Sequence, residues 1–197
     1  MIEPIRIMGI CGSYGLDSAN GHMIDLVKNE CSKLGADVIV WDNKKNPLPF
    51  VGEDGCWDHP NVKMFKDMAD SVDAFILSSP EYHGTMSGVM KNSIDWLSFD
   101  QTSGKVFGLI STLGGQANST TLNHMRTSVR WMHGWAIPEQ LAMANIKNTF
   151  NEEGEIIDIK LNERLIKFAN SLYSNTPLCL FEVLLYLLMF EFIKSTE

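Results

Sequence analysis

Short polar side chains between residues 12 and 20 could bind a phosphate group. Ser13, Ser18 and Asn20 carry hydrogen-bond donors, and Gly12 lets the backbone turn tightly. The segment separates an apolar run from a helical pattern, and the backbone N–H groups and dipole of a helix N-terminus favour negative charge. The same residues also suit an ordinary N-cap loop. Their spacing matches neither G-x-x-x-x-G-K-[ST] nor G-x-G-x-x-G, which argues against a nucleoside-triphosphate or dinucleotide fingerprint.

Two further segments follow apolar runs and carry turn-forming residues. Pro80 follows the run Ala74–Leu77 and keeps Ser79 extended. The segment from Ser111 to Ala117 contains the pair Gly114-Gly115, which lets the backbone approach a planar ligand closely, although a plain strand-to-helix turn fits it equally well. Because open α/β sheets bind ligands at the carboxyl ends of their strands, three such loops together favour one mononucleotide.

The elements that must position these loops alternate along the chain between strand-length apolar runs and helical patterns. This alternation predicts βαβ units and a parallel sheet, and the strands are nearly all apolar, as buried parallel strands are. Five such strands in a short chain fit a flavodoxin-like, doubly wound α/β fold with strand order 2-1-3-4-5 and helices on both faces. The predicted strands are 5–11, 37–41, 74–78, 106–111 and a last strand after residue 138, and the predicted helices are 21–34, 62–71, 85–97, 117–133 and about 158–174.

Composition narrows the class of protein. With 197 residues and 45% apolar side chains, the chain is expected to form one domain over residues 1–176, followed by an apolar tail over 177–197. A formal charge of −8 argues against nucleic acid and anionic membranes as partners. The four cysteines form no C-x-x-C pair and no cluster with histidine at metal-ligand spacing, which favours free thiols without a structural metal. The start of the chain lacks the features of a signal peptide, so a cytoplasmic location is expected.

The residues from Pro80 to Trp96 carry a resemblance to a known family. Pro80-Glu81-Tyr82-His83-Gly84, then Gly88-Val89-Met90-Lys91-Asn92, then Asp95-Trp96 resemble the signature of flavodoxin-like NAD(P)H-dependent FMN reductases, which read Pro-Glu-Tyr-Asn-Gly, Gly-Val-Leu-Lys-Asn and Asp-Trp. The resemblance covers roughly residues 5–174. It implies an enzyme that binds FMN non-covalently and passes hydride from NADPH or NADH through it to a small acceptor such as a flavin or a quinone.

The resemblance also implies which positions bind the cofactor. The first loop would hold the phosphate and the loop from Pro80 to Gly84 would line the isoalloxazine ring, while the glycine pair of the third loop would let its backbone approach the same planar ligand. No catalytic acid or base is needed because the cofactor carries the chemistry. The implied positions are Gly12, Ser13, Ser18, Ala19, Asn20, Pro80, Glu81, Tyr82, His83, Gly84, Ser111, Gly114 and Gly115.

Two positions depart from the family pattern. Gly15 stands where the family often has arginine, and the loss of that charge removes a charge-assisted phosphate contact. Neutral donors alone, or Arg126 or Arg130, could compensate. His83 stands where asparagine is commoner. One reading is that His83 donates a hydrogen bond to the flavin or tunes the flavin potential through its charge. The other reading is that it is a loop residue without a chemical role.

Further expectations concern subunit contacts, core residues and the alternative functions of the protein. The helix over 85–97 is implied to contribute to a homodimer or homotetramer interface, with Trp96 as a subunit anchor or as a cap over the sheet edge. Trp131 and Trp135 are expected in the core. The alternative function is an FMN-binding electron carrier or redox sensor without NAD(P)H oxidation, and a binding-only protein follows if the missing arginine abolishes flavin affinity.

The tail is nearly all apolar from residue 177 to residue 193, interrupted by Glu182 and Glu191. It is shorter than the stretch of about 20 residues that a membrane span needs. The two glutamates leave no clean amphipathic face. A helix buried in an oligomer or against the domain is therefore expected, with membrane attachment as the alternative.

Overall fold

The computed structural model describes residues 3–115 and 120–194, with side chains described as far as Cys179 in the last helix. The strands are β1 (Arg6–Cys11), β2 (Asp37–Trp41), β3 (Ala74–Tyr82), β4 (Thr85–Met86), β5 (Val106–Thr112) and β6 (Trp135–Met143). The helices are α1 (Ala19–Lys33), α2 (Pro60–Asp70), α3 (Gly88–Asp95), α4 (Phe99–Thr102), α5 (Thr120–Trp131) and α6 (Ile159–Lys194).

The long strands form a parallel sheet in the order β2-β1-β3-β5-β6. Numbered without the short β4, this is the order 2-1-3-4-5, so the predicted doubly wound fold is confirmed. The two-residue strand β4 is additional and pairs antiparallel with the end of β3. The chain therefore reverses direction in a hairpin before α3 begins.

Helices cover both faces of the sheet because each strand buries side chains in two directions. On one face, α1 and α6 pack over β1, β3, β5 and β6, with Ile24, Val27 and Phe168 fully buried. On the other face, α2, α3 and α5 pack over the same sheet, with Phe65 and Met90 fully buried. The site-forming loops thus project from strands that are fixed on both sides.

The structure corrects the expected start of the last strand. Strand β6 begins at Trp135, so Pro138 lies inside it rather than before it. The register with β5 shifts between Phe107 and Leu109, which gives a bulge where a proline without an N–H group can sit on an edge strand. Arg126 stabilises this bulge, since its guanidinium donates to the carbonyls of Ile137 (2.8 Å) and Pro138 (3.2 Å).

Two further expectations are wrong. Trp131 and Trp135 are not core residues, because they are 75% and 57% exposed. The helix predicted over 85–97 is shorter, since Thr85 and Met86 belong to the hairpin and Ser87 is the N-cap of α3. The start of the helix predicted at 117–133 falls partly outside the described residues, and α5 is described from Thr120.

The last helix is one continuous element through Pro177 to Lys194. Phe168 and Leu172 lie fully buried in its first half, and Cys179 packs against the same core. The proposed boundary between domain and tail, residues 176 and 177, falls inside this helix, and the division stays a prediction. None of the helices in the described part of the chain combines the length and the apolar composition that a membrane crossing requires.

The long loop after β2 is fastened to α3. The indole N–H of Trp96 donates to the carbonyl of Pro49 (2.8 Å), and Asn92 donates to the carbonyls of Leu48 and Pro49 (both 3.2 Å). Trp96 is only 2% exposed and packs edge-on against Trp57. Trp96 therefore holds a loop of its own chain and does not present a surface to a second subunit.

We expect Trp96→Phe to lower the free energy of unfolding by about 1 kcal/mol, because it removes the indole donor to Pro49. Urea denaturation followed by circular dichroism measures this loss. Trp57→Phe is the matched control, since Trp57 is 69% exposed and its indole makes no hydrogen bond to any described residue. Equal losses in both variants would contradict a specific role for the Trp96 bond.

Candidate functional site

The first predicted loop begins directly at the carboxyl end of β1 and is tied to the neighbouring strand. The N–H of Gly12 donates to the carbonyl of Ser78 at the end of β3 (2.7 Å). A side chain at Gly12 would lie 3.0 Å from Ser79 and Met90, so only glycine brings the loop this close. The sequence predicted Gly12 as the residue that permits a tight turn, whereas the structure shows that glycine is needed here for close packing and has no positive φ.

The end of the same loop forms the N-terminus of α1. Ser18 is the N-cap, and its hydroxyl accepts from the N–H of Gly21 (3.2 Å). A Cβ on Gly21 would lie 2.0 Å from the carbonyl oxygen of Leu16, so the loop folds back directly onto the first turn. Gly21 is a requirement of this loop that the sequence analysis did not identify.

Asn20 organises the polar groups of the loop. Its side-chain amide donates to the hydroxyl of Ser13 (3.1 Å) and its carbonyl oxygen accepts from the hydroxyl of Ser78 (3.0 Å). Because Ser13 Oγ already accepts a hydrogen bond, its own O–H is directed to another partner. The backbone N–H groups of residues 14, 15, 19 and 20 donate to no acceptor within the described residues. The loop thus has several N–H and O–H donors close to the N-terminus of α1.

Cys11 lies beneath this loop. Its thiol is 3.7 Å from Ser18 Oγ and 3.9 Å from the carbonyl of Gly15. Burial raises the pKa of the Cys11 thiol, while hydrogen bonds from Ser13 and Ser18 lower it less. The thiol therefore stays neutral and places no negative charge under the loop.

A buried network connects the first loop with the end of β3 and the start of α3. The hydroxyl of Ser87 donates to the carbonyl of Gly12 (2.5 Å) and accepts from the N–H of Met90 (3.0 Å) as the N-cap of α3. The hydroxyl of Ser79 accepts from the N–H of Ser87 (3.1 Å). Ser78, Ser79 and Ser87 are all buried. From the sequence, Ser79 was noted only as the extended residue before Pro80, and the hydrogen-bonding roles of Ser78 and Ser87 were missed, although serines at the end of a strand and before a helix are a usable signal.

The second predicted loop is a tight hairpin between β3 and β4. His83 and Gly84 are its two central residues, with φ values of 51° and 78°, which is a type I′ turn. Asparagine followed by glycine is preferred in such turns. The asparagine that is commoner at position 83 is therefore explained by backbone conformation. His83 itself is exposed and makes no hydrogen bond to any described residue.

Side chains of the hairpin contact the start of α5. The carboxylate of Glu81 accepts from the N–H of Thr121 (3.0 Å), and a 2.8 Å hydrogen bond joins His124 Nδ1 and Thr85 Oγ1. Pro80 is buried, whereas Tyr82 is exposed. His124 is a hairpin contact that the sequence analysis missed.

The third predicted loop follows β5 beside the hairpin. Pro80 is the register partner of Thr112, and Ser111 is the partner of Ser79. The carbonyl of Gly115 accepts from the N–H of Asn145 (2.8 Å), which fixes the loop against the chain after β6. Gly114 has no positive φ, and a Cβ there would meet no atom of residues 3–115 or 120–194 within 4 Å. Gln116 and Ala117, the last residues of the predicted segment, lie outside the described residues.

The structure brings the predicted positions of all three loops to the carboxyl edge of β1, β3 and β5, which are adjacent strands. It does not bring the two arginines considered as substitutes to that edge. Arg126 is bonded to β6, and Arg130 lies in the last turn of α5, at the opposite end from Thr121 and the hairpin.

Comparison with known proteins agrees with this geometry. The family model of NADPH-dependent FMN reductases matches residues 5–148. The chain belongs to the NADPH-dependent FMN reductase family. An FMN-dependent NADPH-azoreductase of Staphylococcus saprophyticus is 33% identical over 138 residues, which are 68% of this chain and 73% of that protein. One from Staphylococcus aureus is 39% identical over 111 residues, which are 55% of this chain and 59% of that protein.

Solved structures share the fold at low sequence identity. The flavoenzyme NAD(P)H:(acceptor) oxidoreductase FerB of Paracoccus denitrificans is similar with a TM-score of 0.71 and 21% identity, over 86% of this chain and 96% of that chain. An archaeal flavodoxin is similar with a TM-score of 0.63 and 12% identity, over 88% of this chain and 99% of that chain. The predictions of an oxidoreductase, of FMN as cofactor and of a nicotinamide reductant are confirmed by the family, whose members are NADPH-dependent.

The residues at the strand ends fit FMN. The first loop offers neutral N–H and O–H donors at a helix N-terminus, which is the chemistry a phosphate requires. Gly114 and Gly88 have no positive φ, and among the described residues nothing lies within 4 Å of a Cβ placed on either. Glycines at such positions leave room for a flat ligand beside the backbone.

Two substitutions in the hairpin turn are expected to change the free energy of unfolding in opposite directions. Gly84→Ala is expected to lower the free energy of unfolding by about 1–2 kcal/mol, because alanine is strained at positive φ. His83→Asn is expected to raise it by roughly 0.5 kcal/mol, because asparagine adopts this conformation more readily. Chemical denaturation of the apoprotein measures both. A loss of stability in His83→Asn would show that the imidazole makes a stabilising contact.

Gly114→Ala tests whether Gly114 matters for FMN binding and not for the stability of the apoprotein. We expect unchanged stability of the apoprotein, because the added methyl group meets no atom of the described part of the chain within 4 Å. The dissociation constant for FMN is expected to rise by roughly 5- to 30-fold, because the methyl group would overpack the ligand. Flavin fluorescence titration measures the constant, and thermal unfolding of the apoprotein is the control. Unaltered affinity with unaltered stability would place the flavin away from Gly114.

Proposed function

We propose that this protein is an FMN-dependent NADPH oxidoreductase that reduces a small aromatic acceptor. The observation that carries the proposal is the convergence of three loops at the ends of β1, β3 and β5 in a member of the FMN reductase family. A flavin, a quinone or a similar small molecule is the acceptor we propose. The likeness to staphylococcal azoreductases adds azo compounds to that class.

The first loop is proposed to hold the phosphate. Ser13 and Ser18 would donate their hydroxyls, and the N–H groups of Ala19 and Asn20 would donate from the first turn of α1. Gly12 would keep the loop close to the end of β3. Asn20 would act mainly by fixing Ser13 through the 3.1 Å bond between them.

The hairpin and the third loop are proposed to line the ring. Backbone from Pro80 to Gly84 would form one wall, and the backbone near Ser111, Gly114 and Gly115 would approach the ring without side chains in the way. When bound, FMN supplies the redox chemistry by accepting hydride from NADPH and passing electrons to the acceptor. The protein residues bind and orient, and none is proposed as a catalytic acid or base.

Exposed aromatic side chains near the loops support an aromatic acceptor. Tyr14 lies in the phosphate loop, Tyr82 in the hairpin and Phe50 in the loop after β2, and each is more than half exposed. Tyr14 and Phe50 line a shared cavity of about 180 Å³ together with Leu48. Apolar ring faces of this kind stack on planar molecules.

We also propose a homodimer or homotetramer located in the cytoplasm. The acidic composition and the free cysteines Cys11, Cys31, Cys56 and Cys179 support a reducing compartment. The apolar sequence of residues 177–193 supports burial in an assembly, because a helix that is apolar all round is normally covered.

Anaerobic rapid mixing of the FMN-loaded protein with NADPH tests the function. We expect the flavin absorbance to bleach, and then to return on addition of a quinone, free flavin or azo dye, because the acceptor takes the electrons. NADH is mixed in parallel to measure the preference between nicotinamides. Flavin that stays oxidised with both would identify an electron carrier instead, and apoprotein that quenches no flavin would exclude both functions.

A further inference from the structure

We propose that Lys44, in the loop after β2, supplies the positive charge that neutralises the FMN phosphate. The inference rests on the proposed function, since it assumes that the loop from Gly12 to Asn20 holds the phosphate. It assigns a role in cofactor affinity and specificity to a residue outside the three loops. Lys44 would favour FMN over riboflavin, which lacks the phosphate.

The loop itself lacks a cation. Its side-chain donors, Ser13, Ser18 and Asn20, are neutral, and Gly15 has no side chain. Its one ionised side chain at neutral pH is Asp17, which repels an anion. A phosphate monoester carries between one and two negative charges at neutral pH, and the whole chain has a formal charge of −8. Binding to this loop is therefore stabilised by a nearby cation.

Lys44 lies against this loop. Its Nζ is 3.8 Å from Asp17 Oδ2. Its Cδ is 3.5 Å from the point where a Cβ on Gly15 would stand, so the aliphatic stem runs over the glycine. A Cβ on Gly15 would lie 2.3 Å from Asp17 Oδ1, so the glycine leaves room for the Asp17 carboxylate, and Lys44 from the loop after β2 reaches that carboxylate across it.

The backbone around Lys44 is held by Asp42. Asp42 Oδ1 accepts from the N–H of Lys44 (2.9 Å) and of Lys45 (3.3 Å), and the carbonyl of Asp42 accepts from the N–H of Asn46 (2.9 Å). This turn directs the two lysines differently. Lys45 pairs with Asp42 itself at 3.6 Å, whereas Lys44 pairs across to Asp17.

Within the described part of the chain, the pair of Lys44 and Asp17 is the one ion pair that involves the loop from Gly12 to Asn20. Both side chains are largely exposed, at 62% and 79%, so their attraction is weak. A phosphate that also receives N–H donors from the helix N-terminus competes well with such a carboxylate. Lys44 therefore exchanges Asp17 for the phosphate when FMN binds.

Titration of the apoprotein of Lys44→Ala with FMN and with riboflavin tests the role. We expect the dissociation constant for FMN to rise about tenfold, because a charge-assisted contact is lost, and that for riboflavin to stay unchanged. The salt dependence of FMN affinity is expected to become shallower. Lys45→Ala is the matched control, since it removes the same charge one residue away and leaves FMN affinity within about twofold of the wild type.

Two more variants complete the test. Lys44→Arg keeps the charge and is expected to retain FMN affinity. Asp17→Asn removes the competing carboxylate and is expected to tighten FMN binding. The proposal is overturned if Lys44→Ala binds FMN like the wild type, if Lys45→Ala weakens it equally, or if riboflavin affinity falls in parallel. Wild-type protein that binds riboflavin and FMN equally also overturns it, whereas wild-type protein that binds neither overturns the proposed function itself.

Discussion

The buried hydroxyl of Ser87 hydrogen-bonds both to the first loop and to α3. It donates to the carbonyl of Gly12 and accepts from the N–H of Met90. The hydroxyl of Ser79 joins the same network through the N–H of Ser87. Buried polar groups are costly when they lose their partners, so these bonds fix the spacing between the first loop, the end of β3 and the start of α3. The first loop and the hairpin are thereby held beside each other, whereas the third loop is fixed by the bond from the N–H of Asn145 to the carbonyl of Gly115.

The glycines at the strand ends serve different physical purposes. Gly12 and Gly21 are required by close packing, since a Cβ on either would meet protein atoms at 3.0 Å or less. Gly84 is required by its positive φ. Gly114 is required by neither. No contact within the described residues accounts for the glycine at this position, which is why Gly114 is proposed to lie beside the flavin.

The loop after β2 contacts both the loop from Gly12 to Asn20 and α3. Trp96 and Asn92 hold its middle through the carbonyls of Leu48 and Pro49, while Asp42 shapes its start and directs Lys44 toward Asp17. The signature residues Asn92 and Trp96 thus act through this loop. Two residues of the family pattern thus fix a loop that follows a different strand.

The sequence by itself determined the fold, because apolar runs and helical periodicity specify which segments are strands and which faces are buried. It also determined the three loops, since glycine, serine and proline mark them locally. The tertiary structure alone decided that Trp96 is buried and that Trp131 is exposed. It also decided that Arg126 hydrogen-bonds to β6 and that Lys44 lies over Gly15. These contacts join residues far apart in the chain, and a pattern along one segment cannot specify which distant side chain will pack against it.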